Sequence, residues 1–207
     1  MVRTISPERW KTYQIAAGFN DDKAHRLYLW NAAVGQSFHF PLQTVEVALR
    51  NVLHQALAAT FGPDWTQSPA CRATLTVDRV NDITKAERRH YGIYKTVPST
   101  PQIVASLSLG FWVSLLRKHY HQSIWATQTS AAFPNLQANE TINDVSNTGT
   151  SIQNLRNRIF HQEPLLRHNL SVEYAAIIRM LGWICPEMQQ WMRQLSSVPK
   201  VLRERPR

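Results

Sequence analysis

The run PLQTVEVALRNVLHQALAATFGP (residues 41–63) decides the fold class. Leu42, Val45, Leu49, Leu53, Ala56 and Thr60 recur at spacings of three and four, which is one face of a 3.6-residue helix and not the alternation of a strand. Pro41 suits a first helical turn, whose N–H groups have no intrahelical partner anyway, and Gly62-Pro63 ends the pattern.

The same punctuation recurs on both sides. Ser6-Pro7 opens a short helix to about Gly18, and Asp21 or Asp22 starts a second that carries LYLWN (27–31) to about Ser37. Ser68-Pro69 begins a polar helix ending near KAERRHY (85–91). Pro98 and Pro101 frame the start of an apolar segment that ends in GFWVSLLRK (110–118). Residues 122–140 show little periodicity and read as a loop. A long helix over about 141–162 is closed by Pro164, and two shorter ones follow at 171–181 and 186–195. The basic tail VPKVLRERPR, about 198–207, is expected to fray. Strand signals are scarce, and no linker or repeat appears. The expectation is one all-α domain over 1–207, a bundle with additional helices.

Composition sets bounds on function. At 207 residues, 43% hydrophobic and 18% charged, the chain can bury one proper core and is not a disordered segment. The net charge is +9, and arginine outnumbers lysine seventeen to six. Guanidinium grips phosphate with a planar fork, so a polyanion partner fits, nucleic acid foremost; a basic surface that binds nothing anionic fits the charge equally well. Cys71 and Cys185 form no C-x-x-C pair and read as buried thiols in a reducing compartment. MVRTISPERW has no apolar run after its charge, so no signal peptide is expected. IVASLSLGFWVSLL (103–116) is too short and serine-interrupted to span a bilayer. A cytoplasmic protein without a membrane partner is expected.

Chemistry concentrates in NLRNRIFHQEP (154–164). On the 141–162 helix, Ile152, Leu155 and Ile159 share one narrow core-facing arc, and Arg156 borders it. Asn157 and His161, four residues apart, fall together on nearly the opposite face. One reading is a solvated helix end, with Arg158 and His161 complementing the helix dipole. The other is a site aimed away from the protein's own core. A second clue lies in 41–63: Glu46 and Arg50 are spaced i,i+4, and Glu46 borders the apolar stripe. If buried, its carboxylate needs a partner, either Arg50 or Arg156; an exposed helical ion pair is the alternative.

RNRIFH (156–161) resembles the R-x4-H motif of the HEPN superfamily of helical nucleases, in its RN-x3-H form. LYLWN (27–31), EVALRN (46–51) and GFWVSLL (110–116) resemble segments of the Abi-like proteins, a bacterial phage-defence branch of that superfamily. The four segments lie in the family's order and span most of the chain. The resemblance implies a HEPN-like helical bundle that forms a homodimer. It implies RNA cleavage without metal or other cofactor, in a toxin or abortive-infection effector, with an RNA or protein antitoxin as a possible partner. It carries catalysis onto Arg156, Asn157 and His161, facing their copies across the dimer, with Glu46, Arg50 and Arg158 in support. RNVLH (50–54) has only three residues between Arg50 and His54, so catalysis is not carried onto His54. The alternative is a HEPN module that binds RNA or protein and cuts nothing; a buried or blocked His161 would favour it.

Other patterns are weaker. His119 and His121 form an H-x-H without a third ligand beside them, and read as surface histidines. HQEP (161–164) lacks the P-C-x-x-C half of a zinc deaminase. There is no Gly-rich phosphate loop, no G-x-S-x-G, and no basic second helix after a compact turn of the helix-turn-helix kind. The basic runs ERRH (87–90) and RKHYH (117–121) are either solvated faces or guides for RNA.

Overall fold

The computed structural model describes residues 5–207; residues 1–4, on which the expected absence of a signal peptide partly rests, lie outside them. The described chain is all-α: eleven α-helices and no strand. In order they are α1 (Pro7–Ala16), α2 (Asp21–Phe61), α3 (Pro69–Thr74), α4 (Val77–Tyr94), α5 (Thr100–Ser106) and α6 (Leu109–Ser114), then α7 (Ala126–Ala132), α8 (Ile142–Phe160), α9 (Leu170–Ile184), α10 (Pro186–Leu195) and α11 (Val198–Arg203). A 3-10 turn over Lys118–Tyr120 and a π turn over His121–Trp125 lead into α7. No described helix is long and apolar enough to cross a membrane.

Two starts follow the Ser-Pro signals: Ser6 and Ser68 each accept a hydrogen bond from the backbone N–H three residues on. Asn20, one residue before the expected Asp21 or Asp22, caps α2 in the same way, and Ser108 caps α6. Asp144 accepts from the Thr141 N–H and hydroxyl, both at 2.8 Å, and those bonds hold its carboxyl below the usual range. Gly62 ends α2 at φ 92°, a conformation that favours glycine.

Four expectations change. The break at Pro41 does not exist: α2 runs unbroken through it for 41 residues. Proline there removes the N–H that would bond to the Ser37 carbonyl, a cost on the order of 3 kcal/mol. Phe38, Pro41, Leu42 and Val45 are all buried around it, and each large apolar side chain gains about 1.5–3 kcal/mol by burial. The polar helix expected over 68–91 is two, α3 and α4, separated at Leu75-Thr76. The expected loop over 122–140 holds the π turn and α7, which bury Trp125 and Ala132. The tail does not fray. Val198 in α11 is fully buried, the Trp30 indole donates to the Val201 carbonyl at 2.8 Å, and the Arg205 guanidinium lies 5.3 Å from the Trp30 ring centre.

α2 is the axis of the bundle. Its buried stripe, from Ala24 through Leu27, Val34, Leu42 and Leu49 to Leu57, packs against α1, α6, α7, α8, α9 and α11. The aromatic core forms at its C-terminal end, where Trp65 meets Phe111 and Trp112. Cys71 is buried, and desolvation pushes its thiol up to about 11; Cys185 is only partly buried, contrary to expectation.

His54 is part of this packing. The Trp65 indole donates to His54 Nδ1 at 2.9 Å, so that nitrogen must be unprotonated, and desolvation lowers the ring's pKa. The short RNVLH match therefore holds a structural histidine. A depressed folded pKa gives stability that is present in full above the unfolded value of about 6.5 and is lost as pH falls through the lower folded value. Thermal unfolding scans should show wild-type Tm falling from about pH 7.5 to about pH 5 more steeply than that of His54→Gln, whose side-chain oxygen still accepts from Trp65. Parallel pH profiles for the two proteins would refute this role.

Candidate functional site

The end of α8 is built by a specific closure. The Gln162 N–H donates to the Ile159 carbonyl at 2.9 Å and the Glu163 N–H to the Arg158 carbonyl at 2.8 Å, with Gln162 at φ 56°. This is a Schellman turn with a left-handed residue just past the cap. Glycine is the usual occupant; glutamine there stores backbone strain on the order of 1 kcal/mol. The helix thus stops at Phe160, and His161, expected inside it, is the C-cap residue. His161 is exposed, and its N–H bonds to the Asn157 carbonyl at 2.8 Å.

The chain beyond this turn is also tied down. The Leu165 N–H donates to Asn31 Oδ1 at 2.7 Å, and Arg205 donates to the Leu166 carbonyl at 3.0 Å. Asn31 is the last residue of LYLWN, so that segment fixes the exit of RNRIFHQEP. A cleft of about 280 Å³ opens between α1, α2 and this exit, with Arg9, Tyr28, Asn31 and Gln162 among its walls.

Arg156 is held from two sides. Its guanidinium carbon lies 4.3 Å from the Phe160 ring centre, and its Nε stands 3.8 Å from Glu46 Oε2. The two charged side chains are 32% and 28% exposed. The separation makes an ion pair but not a hydrogen bond; Arg156 Nε is buried with no hydrogen-bond partner. Of the two arginines expected to partner Glu46, only Arg156 does. Arg50 makes no ion pair among the described residues, and its Nε is likewise buried without a hydrogen bond. Arg158 turns elsewhere and pairs with Glu163 at 3.1 Å.

The core face of α8 is as read: Ile152 and Leu155 are buried, and Ile159 packs against the core. Asn157 is half-buried and His161 exposed, off that face. α8 approaches α6 closely at Gly149, where a Cβ would stand 3.2 Å from Leu116 Cδ1 and 3.6 Å from Val113 Cγ1. GFWVSLL therefore seats the helix that carries the motif.

Two neighbours escaped the sequence reading. Phe160 is 51% exposed and supports Arg156 one turn before it. His39 also stacks on Phe160, with ring centres 6.1 Å apart and planes 26° apart. His39 and Glu46 are seven residues apart, two turns on one face of α2. That spacing was readable only with α2 taken as one helix.

Among the described residues no three His, Cys, Asp or Glu side chains gather where they could hold a metal ion. His119 is exposed; His121 is half-buried, with Nε2 buried and unbonded. Comparison with protein-family models, curated proteins and solved structures finds no match to this chain.

The Glu46–Arg156 pair is partly solvated and long, so it is worth far less than a fully buried pair. Glu46→Ala should cost about 1 kcal/mol, a fall in Tm of about 2–4 °C for a chain of this size, measured by thermal unfolding. A loss several times larger would show that Glu46 anchors α8 and does more than accompany Arg156.

Proposed function

We propose that this chain is an Abi-like HEPN protein and acts as a metal-independent endoribonuclease, a toxin or abortive-infection effector whose site is composite across a homodimer. The observation that carries the reading is convergence. LYLWN, EVALRN and GFWVSLL, far apart in sequence, each meet α8 or its exit: Asn31 at Leu165, Glu46 at Arg156, and Val113 and Leu116 at Gly149. Those contacts fix the end of the helix that carries Arg156 at the core's border and Asn157 and His161 off its core face.

RNA brings its own nucleophile, the 2′-OH, so cleavage needs two proton transfers and stabilisation of charge on phosphorus. One His161 accepts the 2′-OH proton as O2′ attacks phosphorus, and its copy across the dimer protonates the departing 5′-oxygen. Arg156, preset by Phe160 and Glu46, binds the non-bridging oxygens as negative charge builds. Asn157 orients His161 or the phosphate. The products are a 2′,3′-cyclic phosphate and a 5′-OH, and DNA, lacking the 2′-OH, is uncut. Phe160, an aromatic half exposed on the same turn, supplies apolar area for the twofold contact. His161 is exposed, not buried, which supports the cleaving reading over a binding-only module.

Labelled single-stranded RNA incubated in excess EDTA tests this. Wild type should cut it, and His161→Ala should lose about 10²–10⁴-fold in rate while melting like wild type, since His161 packs against nothing in the core. Cleavage only on addition of a divalent ion, or equal cleavage by both proteins, would overturn the mechanism.

A further inference from the structure

Clefts larger than the one of about 280 Å³ at the RNRIFH exit lie elsewhere. Cavities of about 560 and 530 Å³ flank the last turns of α4, one walled by Arg89, His90 and Tyr94, the other by Arg88, Tyr91 and Val97. Ile83 and Ala86 bury the inner face of this helix, and Lys85, Arg88 and Arg89 spread over the outer arc. Among the described residues none of these three cations has an ion-pair or hydrogen-bond partner in its side chain. The one carboxylate in the stretch, Glu87, is taken by Arg72.

Beside the cations, toward the end of the helix, stand rings that do not pack into the core. Tyr91 is 56% and Tyr94 64% exposed, and Tyr94 keeps only the His90 ring, 4.7 Å away. Gly92, on the outer arc, has open space where a Cβ would stand, so the helix surface is bare between Arg88, Arg89 and Lys95. Lys95 is turned back onto the Gly92 carbonyl at 3.0 Å and closes the helix in a left-handed cap.

We propose that residues 85–95 form a binding surface for single-stranded nucleic acid, with Tyr91 and Tyr94 as stacking platforms for bases and Lys85, Arg88 and Arg89 as phosphate partners. Unbalanced cations select a polyanion. Exposed rings beside open clefts take unstacked bases, which a single strand offers and a duplex does not. Lys85, Arg88 and Arg89 hold the outer arc of α4 and Ile93 is the one exposed aliphatic side chain of 85–95, which suits a phosphate backbone better than insertion into a lipid surface. The surface stands independently of the cleavage reading, because it lies on another helix and its test is binding.

The test is fluorescence anisotropy with labelled oligo(U), oligo(dT) and duplex RNA over a salt series, using His161→Ala as parent so that the RNA probe stays intact. The parent should bind both single strands and bind duplex more weakly; a preference for oligo(U) over oligo(dT) would add a 2′-OH contact to the same surface. Tyr91→Ala/Tyr94→Ala should weaken binding at least about tenfold. Arg88→Ala/Arg89→Ala should lower the slope of log affinity against log salt by about 1.4. All four side chains are exposed, and circular dichroism checks that the helices persist. Parent-like binding by both variants, no binding by the parent, or duplex RNA or anionic phosphatidylserine vesicles bound as tightly as oligo(U) would overturn the proposal.

Discussion

The continuity of α2 through Pro41 is the constraint on which the rest of the structure depends. A proline mid-helix leaves one carbonyl without its donor and pushes against the preceding turn. Here the cost is offset because the residues on both sides of the proline face one core. Were the helix to break, Leu27, Trp30 and Val34 would no longer lie in register with Leu42, Leu49 and Leu53. The groove that accepts α9, α11 and α8 would split in two. Continuity also places Asn31, His39 and Glu46 along one rod, so that three distant positions reach the end and exit of α8 together.

That end of α8 is over-determined. The Schellman turn fixes the backbone, Asn31 and Arg205 hold the exit strand, and Gly149 lets the helix lie close on α6. Within this frame Arg156 has little freedom: an aromatic ring supports one side and a carboxylate stands beyond the other. A charge held without a tight hydrogen bond is already ordered yet keeps donors for another oxygen, which is how a phosphate-binding arginine is best prepared. Left-handed Gln162 stores strain one residue past exposed His161, the place in this turn where side chains are presented outward.

The arginines do not all serve one purpose. Arg72, Arg79, Arg156 and Arg158 are paired with carboxylates and stiffen the surfaces they lie on. Arg88 and Arg89 have no ion-pair partner among the described residues and stand out from α4 beside exposed tyrosines. Net charge alone does not separate these groups, because a carboxylate four residues from a guanidinium in sequence can find its partner on another helix. Glu46 shows this: Arg50 is its i,i+4 neighbour, and its counter-ion is Arg156, 110 positions on.

The sequence by itself determined the helical class, the caps, and the inward face of α8, since these rest on short-range periodicity and on side chains that bond their own backbone. Ile152 and Leu155 are buried, Asn157 and His161 lie off that face, and Ser6 and Ser68 cap the helices that follow them. What it hid were outcomes set by long-range burial. Local rules break a helix at Pro41, leave 122–140 as loop and let the tail fray; the core overrides each, by packing Phe38 and Leu42, Trp125 and Ala132, and Val198. The candidate site divides in the same way. That Asn157 and His161 lie off the core face, with Arg156 at its border, was legible from their spacing, whereas His39, the ring support from Phe160 and the choice of Arg156 over Arg50 by Glu46 belong to the tertiary structure, because a contact between two helices is fixed by where the core lets them cross.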